Sequence, residues 1–295
     1  MRVVTPLTIA TGGALTLTNV GTALDPAAYN AGTNYALDQQ CVVGETIYQS
    51  AVAGNIGNDP PTSPDKWGAV SAINKLKMFD RSVSTQTVNP NTIDVTVTPG
   101  RAVGVVSLLN LDGAAVTVEQ TDPVEGLVFT TGAISLTEDV ASWSEYLYTP
   151  VVRKRSLLVP VLPTYRNASI RVLIDNTGGD AKCGVCIVGE SVNPGAAEYG
   201  ASDGIDDYSI VAPDRYGIRD IVERDYADDA EMTIWVPAAQ SERFRRILAE
   251  RRAKPTLFVL ADHRPDAQYY GLPSFRRTFS IRSHDIFALT VKGFT

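Results

Sequence analysis

Ile93-Asp94-Val95-Thr96-Val97-Thr98-Pro99-Gly100 is the stretch from which the fold of this chain can be read. Its β-branched aliphatic residues stand on odd positions and its polar residues on even ones. Successive side chains of a strand point to opposite faces, so a period of two puts Ile93, Val95 and Val97 on one buried face. Pro99-Gly100 then supplies turn chemistry. The same grammar continues downstream. Val103–Leu111 is mostly apolar and ends at Asp112-Gly113, a hairpin signal. Ala115-Val116-Thr117-Val118-Glu119 alternates again, and Leu127–Thr131, Ser156–Leu162, Ser169–Ile174 and Cys183–Val188 read as further strands. Asn176-Thr177-Gly178-Gly179 separates the last two. Short strands at this spacing predict a mainly β fold of antiparallel β-sandwich type.

Toward the C-terminus, residues 190–231 read as loop-rich and acidic, with ten Asp/Glu against three Arg in 202–232. Met232–Val236 reads as a strand, and Pro237 fits the first turn of a helix. Phe244, Ile247 and Leu248 recur at i, i+3, i+4, which predicts one amphipathic helix over about 238–253, stopped at Lys254-Pro255. Thr256–Ala261, Phe275–Ile281 and Ile286–Val291 follow as strands. Toward the N-terminus, 27–72 forms a compact unit of its own, and 1–26 is Thr-, Ala- and Gly-rich and reads as an extended arm or terminal strand. The expected organisation is therefore an arm (1–26), a small β module (27–72), a central β-sandwich-like domain (73–210) and a β-rich C-terminal domain with one helix (211–295).

The bulk numbers bound the function. At 295 residues, 44% hydrophobic and 20% charged, the chain has an ordinary globular composition. No apolar run reaches the roughly 18 residues of a membrane span, and Met1–Pro6 lacks the pattern of a secretory signal, so no membrane insertion is expected. The net charge of −7 argues against nucleic acid as a partner, because phosphate neutralisation needs a basic surface. The charge is divided unevenly, −8 over residues 1–150 and +1 over 151–295, which permits charge-complementary stacking of subunits. Three cysteines, Cys41, Cys183 and Cys186, give no disulfide framework.

The most specific local pattern lies in residues 35–67. Tyr35 precedes Cys41–Ser50 with Tyr48, then Gly54-Asn55-Ile56-Gly57-Asn58-Asp59-Pro60, then Ser63-Pro64-Asp65-Lys66-Trp67. This order resembles the small chitin-binding-type carbohydrate modules. The resemblance implies sugar stacking on Tyr35, Tyr48 and Trp67, with Asn58 and Asp59 binding hydroxyls, because the C–H face of a pyranose packs on an exposed aromatic ring. The bottom-up alternative is that a unit this small uses the same aromatics as its core. A wider resemblance starts at Asn74-Lys75-Leu76-Lys77-Met78-Phe79-Asp80 and Thr85-Gln86-Thr87, and continues through Ile93–Val97 with Pro99-Gly100, Cys183–Gly189, Tyr199-Gly200-Ala201 with Gly204-Ile205, and Asp207-Tyr208-Ser209 to Phe287–Phe294. These stretches resemble a family of bacteriophage tail-associated proteins that pair a chitin-binding-like unit with a β-rich body. The resemblance implies a virion structural role and brings no catalytic residues.

Other motifs carry less chemistry. Cys183-x-x-Cys186 lacks the two further ligands of a zinc site, since His263 and His284 stand 21 positions apart; in a strand, i and i+3 face opposite ways, and core cysteines are the plainer reading. Asp203-Gly204-Ile205-Asp206-Asp207 departs from the EF-hand order, so no metal and no cofactor are expected. Arg243, Arg245, Arg246, Arg251 and Arg252 crowd the helix, and Arg243, Arg246 and Arg251 are candidate partners for Asp206 and Asp207 within the subunit or across to the next. No nucleophile elbow, phosphate loop or dinucleotide fingerprint occurs, so the chain is expected not to be an enzyme. The expectation is a phage tail component in a collar, adaptor or tail-tip position, made in the host cytoplasm and retained in the virion, with its own copies and neighbouring tail proteins as partners. The alternatives are a virion protein binding host surface glycan through the module, and, third, a glycan-cleaving enzyme built on two carboxylates.

Overall fold

A computed structural model describes all residues except 11–12, 139–141, 151, 214–218, 262–263, 281 and 294–295. His263 and Ile281 thus lie outside the described residues. The strands in chain order are β1 (Arg2–Pro6), β2 (Leu15–Thr18), β3 (Gln40–Val43), β4 (Thr46–Ser50), β5 (Trp67–Ala72), β6 (Thr87–Val97), β7 (Val105–Asp112), β8 (Ala115–Asp122), β9 (Gly126–Thr130), β10 (Ile134–Ser135) and β11 (Ser156–Val159). There follow β12 (Ser169–Val192), β13 (Ala196–Ala197), β14 (Ser202–Asp207), β15 (Ile210–Pro213), β16 (Arg219–Val222), β17 (Tyr226–Pro237), β18 (Thr256–Ala261), β19 (Arg264–Phe279) and β20 (His284–Gly293). Helices α1 (Asn74–Lys77) and α2 (Trp143–Tyr148) are short, and α3 (Ala238–Glu250) is the amphipathic helix expected from the sequence. The fold is mainly β and antiparallel, without barrel closure. Pro237 caps α3 from outside rather than standing in its first turn.

The alternating stretch Ile93–Val97 lies in β6, and its odd residues are fully buried as read from the sequence. β6 pairs with β12, Val95 opposite Val172. On the other edge of β12 lie β8 (Val118 opposite Val172) and then β7 (Leu108 opposite Cys186). Both run antiparallel to β12, so β7 and β8 are successive parts of one bent strand. This corrects the hairpin read at Asp112-Gly113. Gly113 marks a bend packed so tightly on Ile174 that a Cβ there would lie 2.9 Å from its Cγ2. β12 shifts register between Asp175 and Asp180, and Asn91 of β6 and Gly178 of β12 both adopt positive φ at that level. Neighbouring strands therefore bend together. Ile93, Val95, Val116, Val118, Val172 and Ile174 from one half meet Val106, Leu108, Ala181 and Val188 from the other in a single core.

Cys183 and Cys186 both belong to that core, whereas Val185 and Ile187 face a second one. The expectation that the two cysteines face oppositely fails because alternation reverses where Gly184 lies against Asn110, whose φ is +51°. Both are free thiols; burial pushes Cys183 well above its ordinary value and Cys186 up to about 12, which suits core residues rather than ligands or nucleophiles.

β1 lies inside the sheet rather than reaching out as an arm. It pairs with the end of β12 (Val3 opposite Val192) and with β18 (Val3 opposite Phe258), and Val3 and Val4 are fully buried. Through it the central sheet continues into β18-β19-β20-β17. β13 and β14 then pair with β17, so the sheet runs back across the boundary read at residue 210. α3 packs Phe244 and Leu248 on Met232, Ile234 and Phe287. The opposite face of the same sheet, with Leu257, Val259 and Tyr270, packs on Val105, Leu109, Leu158, Val185 and Ile187.

β1 can approach β12 only because residue 189 is glycine: a Cβ there would collide with the Thr5 carbonyl. Gly189→Val is expected to destabilise the protein by about 2 kcal/mol or more and to expose residues 1–10 to protease. Urea unfolding and limited proteolysis check this; wild-type behaviour in both would show that β1 docks without that contact.

Candidate functional site

The module is the sheet β3-β4-β5 with the loops that cross it. It is fused to the body rather than tethered to it. Ile47 belongs to the central core, Val42 and Ala72 pack on that core, and Asn74 clamps β6 by donating its side-chain N–H to the Val88 carbonyl and accepting the Val88 N–H. Its own core is aromatic. Tyr35 and Trp67 are only 4% and 3% exposed, and their rings meet edge to face at 5.0 Å. Tyr29, which the sequence reading missed, stacks on Tyr35 at 5.7 Å, and burial followed by Asp59 raises its phenol pKa. The Trp67 indole N–H donates to the Asn58 carbonyl at 2.9 Å, and the Tyr35 hydroxyl accepts the Asn30 N–H at 2.8 Å. Buried Asn55 donates to Ser50 Oγ and accepts from the Asn58 amide, which ties the Gly54–Pro60 loop down. Asp59 is exposed and accepts the Thr62 hydroxyl. Stacking on a sugar needs an open ring face. Tyr35 and Trp67 offer none, which corrects the sugar-platform reading of those two residues; Tyr48 is half-buried at the margin.

The candidate contact residues of α3 divide. Arg243 and Arg246 are exposed and have no ion-pair partner among the described residues. Arg251 is half-buried, with its Nε unpaired. None of the three meets Asp206 or Asp207, which stand exposed on β14. The Asp207 carboxylate accepts the Ser209 N–H and is held below its usual range by Ser209, through its hydroxyl first and its N–H second. The ionic contacts of α3 run instead from Glu242 to Arg245 at 2.8 Å and to Arg277 at 3.1 Å. Arg277 also binds buried Asp285 at 2.7 Å, and Asp285 accepts the Ser241 hydroxyl. The Ser241 hydroxyl and then Arg277 hold the Asp285 carboxyl below the usual carboxylate range.

The segment read as loop is a two-stranded arm. β14 runs antiparallel to the start of β17, Ser202 opposite Glu231 through Asp207 opposite Tyr226. β15 and β16 then extend the ladder to Pro213 opposite Arg219. Beyond the end of the β17–β20 ladder, nine residues from 205 to 213 at ~3.3 Å each make a two-stranded arm of about 30 Å. Ile205, Tyr208, Ile210, Val211, Ile221, Val222 and Tyr226 are each at least 45% exposed. Val211 stands opposite Ile221, and Ile210 opposite Val222, so both faces are apolar. Two-residue apolar runs set among acids hid this alternation from sequence reading.

No protein-family profile and no curated protein sequence matches the chain. Partial, low-scoring structural likenesses exist to three solved chains. One is a mutant of the lectin-binding domain of lectinolysin complexed with Lewis b, with TM-score 0.29 and 16% identity, covering 40% of this chain and 84% of that one. Another is a chitosan-binding module of a chitosanase/glucanase from Paenibacillus sp. IK-5, with TM-score 0.26 and 10% identity, covering 39% and 83%. The third is the tail of an empty GTA particle of C6 symmetry, with TM-score 0.25 and 14% identity, covering 36% and 87%. Likenesses this weak define no family and assign no residue.

Trp67→Ala is expected to cost about 3–5 kcal/mol, the penalty of emptying an aromatic core site. Urea unfolding measures it, and an unchanged midpoint would place the ring at the surface. For Asp285, the lowered folded pKa means a contribution present above the ordinary aspartate value of about 4 and lost as pH falls through the folded one. The thermal midpoint should therefore drop on acidification below that point, and Asp285→Asn should lower the midpoint at pH 7 while flattening the acid limb.

Proposed function

We propose that this chain is a non-enzymatic structural subunit of a bacteriophage tail, in a collar, adaptor or tail-tip position, joining its own copies and neighbouring tail proteins in a symmetric ring or oligomer. The observation that carries this reading is the two-stranded arm between residues 205 and 228. A two-stranded hairpin is marginal in water without a third strand or a packed face. This one presents aliphatic side chains on both faces and, among the described residues, an unpaired outer edge at β14. Exposed apolar surface of that kind marks a contact site. Set between subunits, the arm gains the cover that the described residues of its own chain do not provide. The sequence resemblance of 74–80, 85–87 and 93–97 to tail-associated proteins supports the same class.

Glycan recognition by the module loses its main support, because Tyr35 and Trp67 are interior. For an enzymatic reading the sequence supplies no catalytic motif.

Val211→Asp with Ile221→Asp places two carboxylates on one face of the arm without touching any core. The variant is expected to fold with the wild-type unfolding midpoint and to lose self-association, or incorporation into particles, at least tenfold. Sedimentation of the purified chain and its recovery in purified virions read this out; normal assembly of the variant would contradict the proposal.

A further inference from the structure

At the open end of the C-terminal sheet, beside the base of the arm, three carboxylates line a recess whose described walls hold no cation; Asp203, opposite Ala230, and Asp228 lie on the α3 face with Ala201 and Tyr269. Gln268 pairs across the ladder with Val259, and Tyr270 with Leu257, whereas Tyr269 pairs with Phe258 on the α3 side. Gln268 therefore points away from α3. It is 8% exposed, and its Oε1 accepts the Ser107 hydroxyl at 2.6 Å, but its buried Nε2 has no partner among the described residues. It lines two adjoining cavities. The smaller, about 280 Å³, is walled by Asp203, Gly204, Ile205, Asp228, Asp266, Gln268 and Tyr269 and contains no basic side chain among the described residues. The larger, about 330 Å³, shares Asp228, Asp266 and Gln268 and opens toward Arg155 and Tyr226 at the base of the arm. Burial, then Asp203 and Asp229, raises the Asp228 pKa; burial, then Asp203, Asp266 and Asp228, raises the Tyr269 phenol. The cleft is thus a site of concentrated negative potential. Its carboxylates do not converge as metal ligands, since no group of three or more acidic, His or Cys side chains among the described residues is arranged to hold an ion.

Helix α3 supplies the complementary charge. Arg243 and Arg246 project from α3 with no partner among the described residues. A guanidinium is planar, multidentate and weakly hydrated, which suits it to a carboxylate-lined recess. Among the described residues Arg243 and Arg246 meet none of the recess carboxylates within the subunit, which leaves the two patches to pair between subunits, and such a contact repeated head to tail closes into rings.

We propose that the Asp203/Asp228/Asp266/Gln268 cleft is the receiving half of a heterologous interface and that the Arg243 and Arg246 guanidiniums of a second copy of this chain occupy it. The inference rests on the self-assembly reading above and names the contact that orients one copy on the next. The arm supplies apolar area; the cleft supplies register.

A charge exchange between full-length chains tests it. One variant carries Arg243→Glu and Arg246→Glu, the other Asp228→Arg and Asp266→Arg. Each alone is expected to associate at least tenfold more weakly than wild type by analytical ultracentrifugation. An equimolar mixture should regain association, because each supplies the face the other needs, and wild-type association should weaken as salt rises. Circular dichroism and the unfolding midpoint establish folding; if a reversal variant is misfolded, Arg243→Gln/Arg246→Gln and Asp228→Asn/Asp266→Asn are used, and each should lose association. Folded variants that associate like wild type, or a mixture of folded reversal variants that stays dissociated, would overturn the cleft proposal. Loss of association in the arm variant alone would then leave the assembly reading intact. A wild-type chain that remains monomeric would overturn both.

Discussion

Strand β12, twenty-four residues long, has strand partners along both edges, and the molecule is organised by where those partners change. One edge passes from β6 to β1, the other from β8 to β7. The bend at Asn176–Gly179 lets one long strand serve both halves of the central core. The handover at Gly189 lets it recruit β1, and β1 carries the ladder on to β18 and the C-terminal sheet. A side chain at residue 189 would close that passage. The two sheets are therefore one continuous structure, and the face of the C-terminal sheet away from α3 is fixed against β7, β11 and β12 through the core around Leu109, Leu158 and Tyr270.

That continuity gives the exposed features a rigid base. β17 is paired on its inner side with β20 from Asp229 opposite Lys292 to Pro237 opposite His284, while its first residues pair outward with β14 and lead into the arm. The arm is thus continuous with the sheet that carries α3, and the acidic cleft lies at its base. Arg277 and Asp285 pin α3 to that sheet through Glu242 and Ser241. The free arginines accordingly project from a helix that is held in place at its first turn and by Phe244 and Leu248.

What the sequence revealed follows from the range of the interactions involved. The β6 alternation and α3 are periodic and local, and both were legible. Asp112-Gly113 carries hairpin chemistry, yet it bends a strand onward because Ile174, more than sixty residues later, closes over it. The sidedness of Cys183 and Cys186 depends on one reversal of alternation opposite Asn110, which no period announces. The aromatics of the module were recognised as a set, but whether Trp67 faces in or out is decided by Asn55 and Asn58 folding the loop over it. Asp203, Asp228, Asp266 and Gln268 come from three strands scattered over sixty-six positions, and only their pairing brings them together.

On the proposed reading, the chain is a scaffold that presents apolar and charged surfaces on rigid supports for other subunits to cover. Its aromatic module contributes packing to the body and its cysteines are core side chains. The most direct measurement of this account is a density map of purified phage particles carrying a label fused to this chain. The account predicts repeated density in a ring of the tail, with the arm reaching across a subunit boundary. Purified particles that contain no copy of the chain would contradict it.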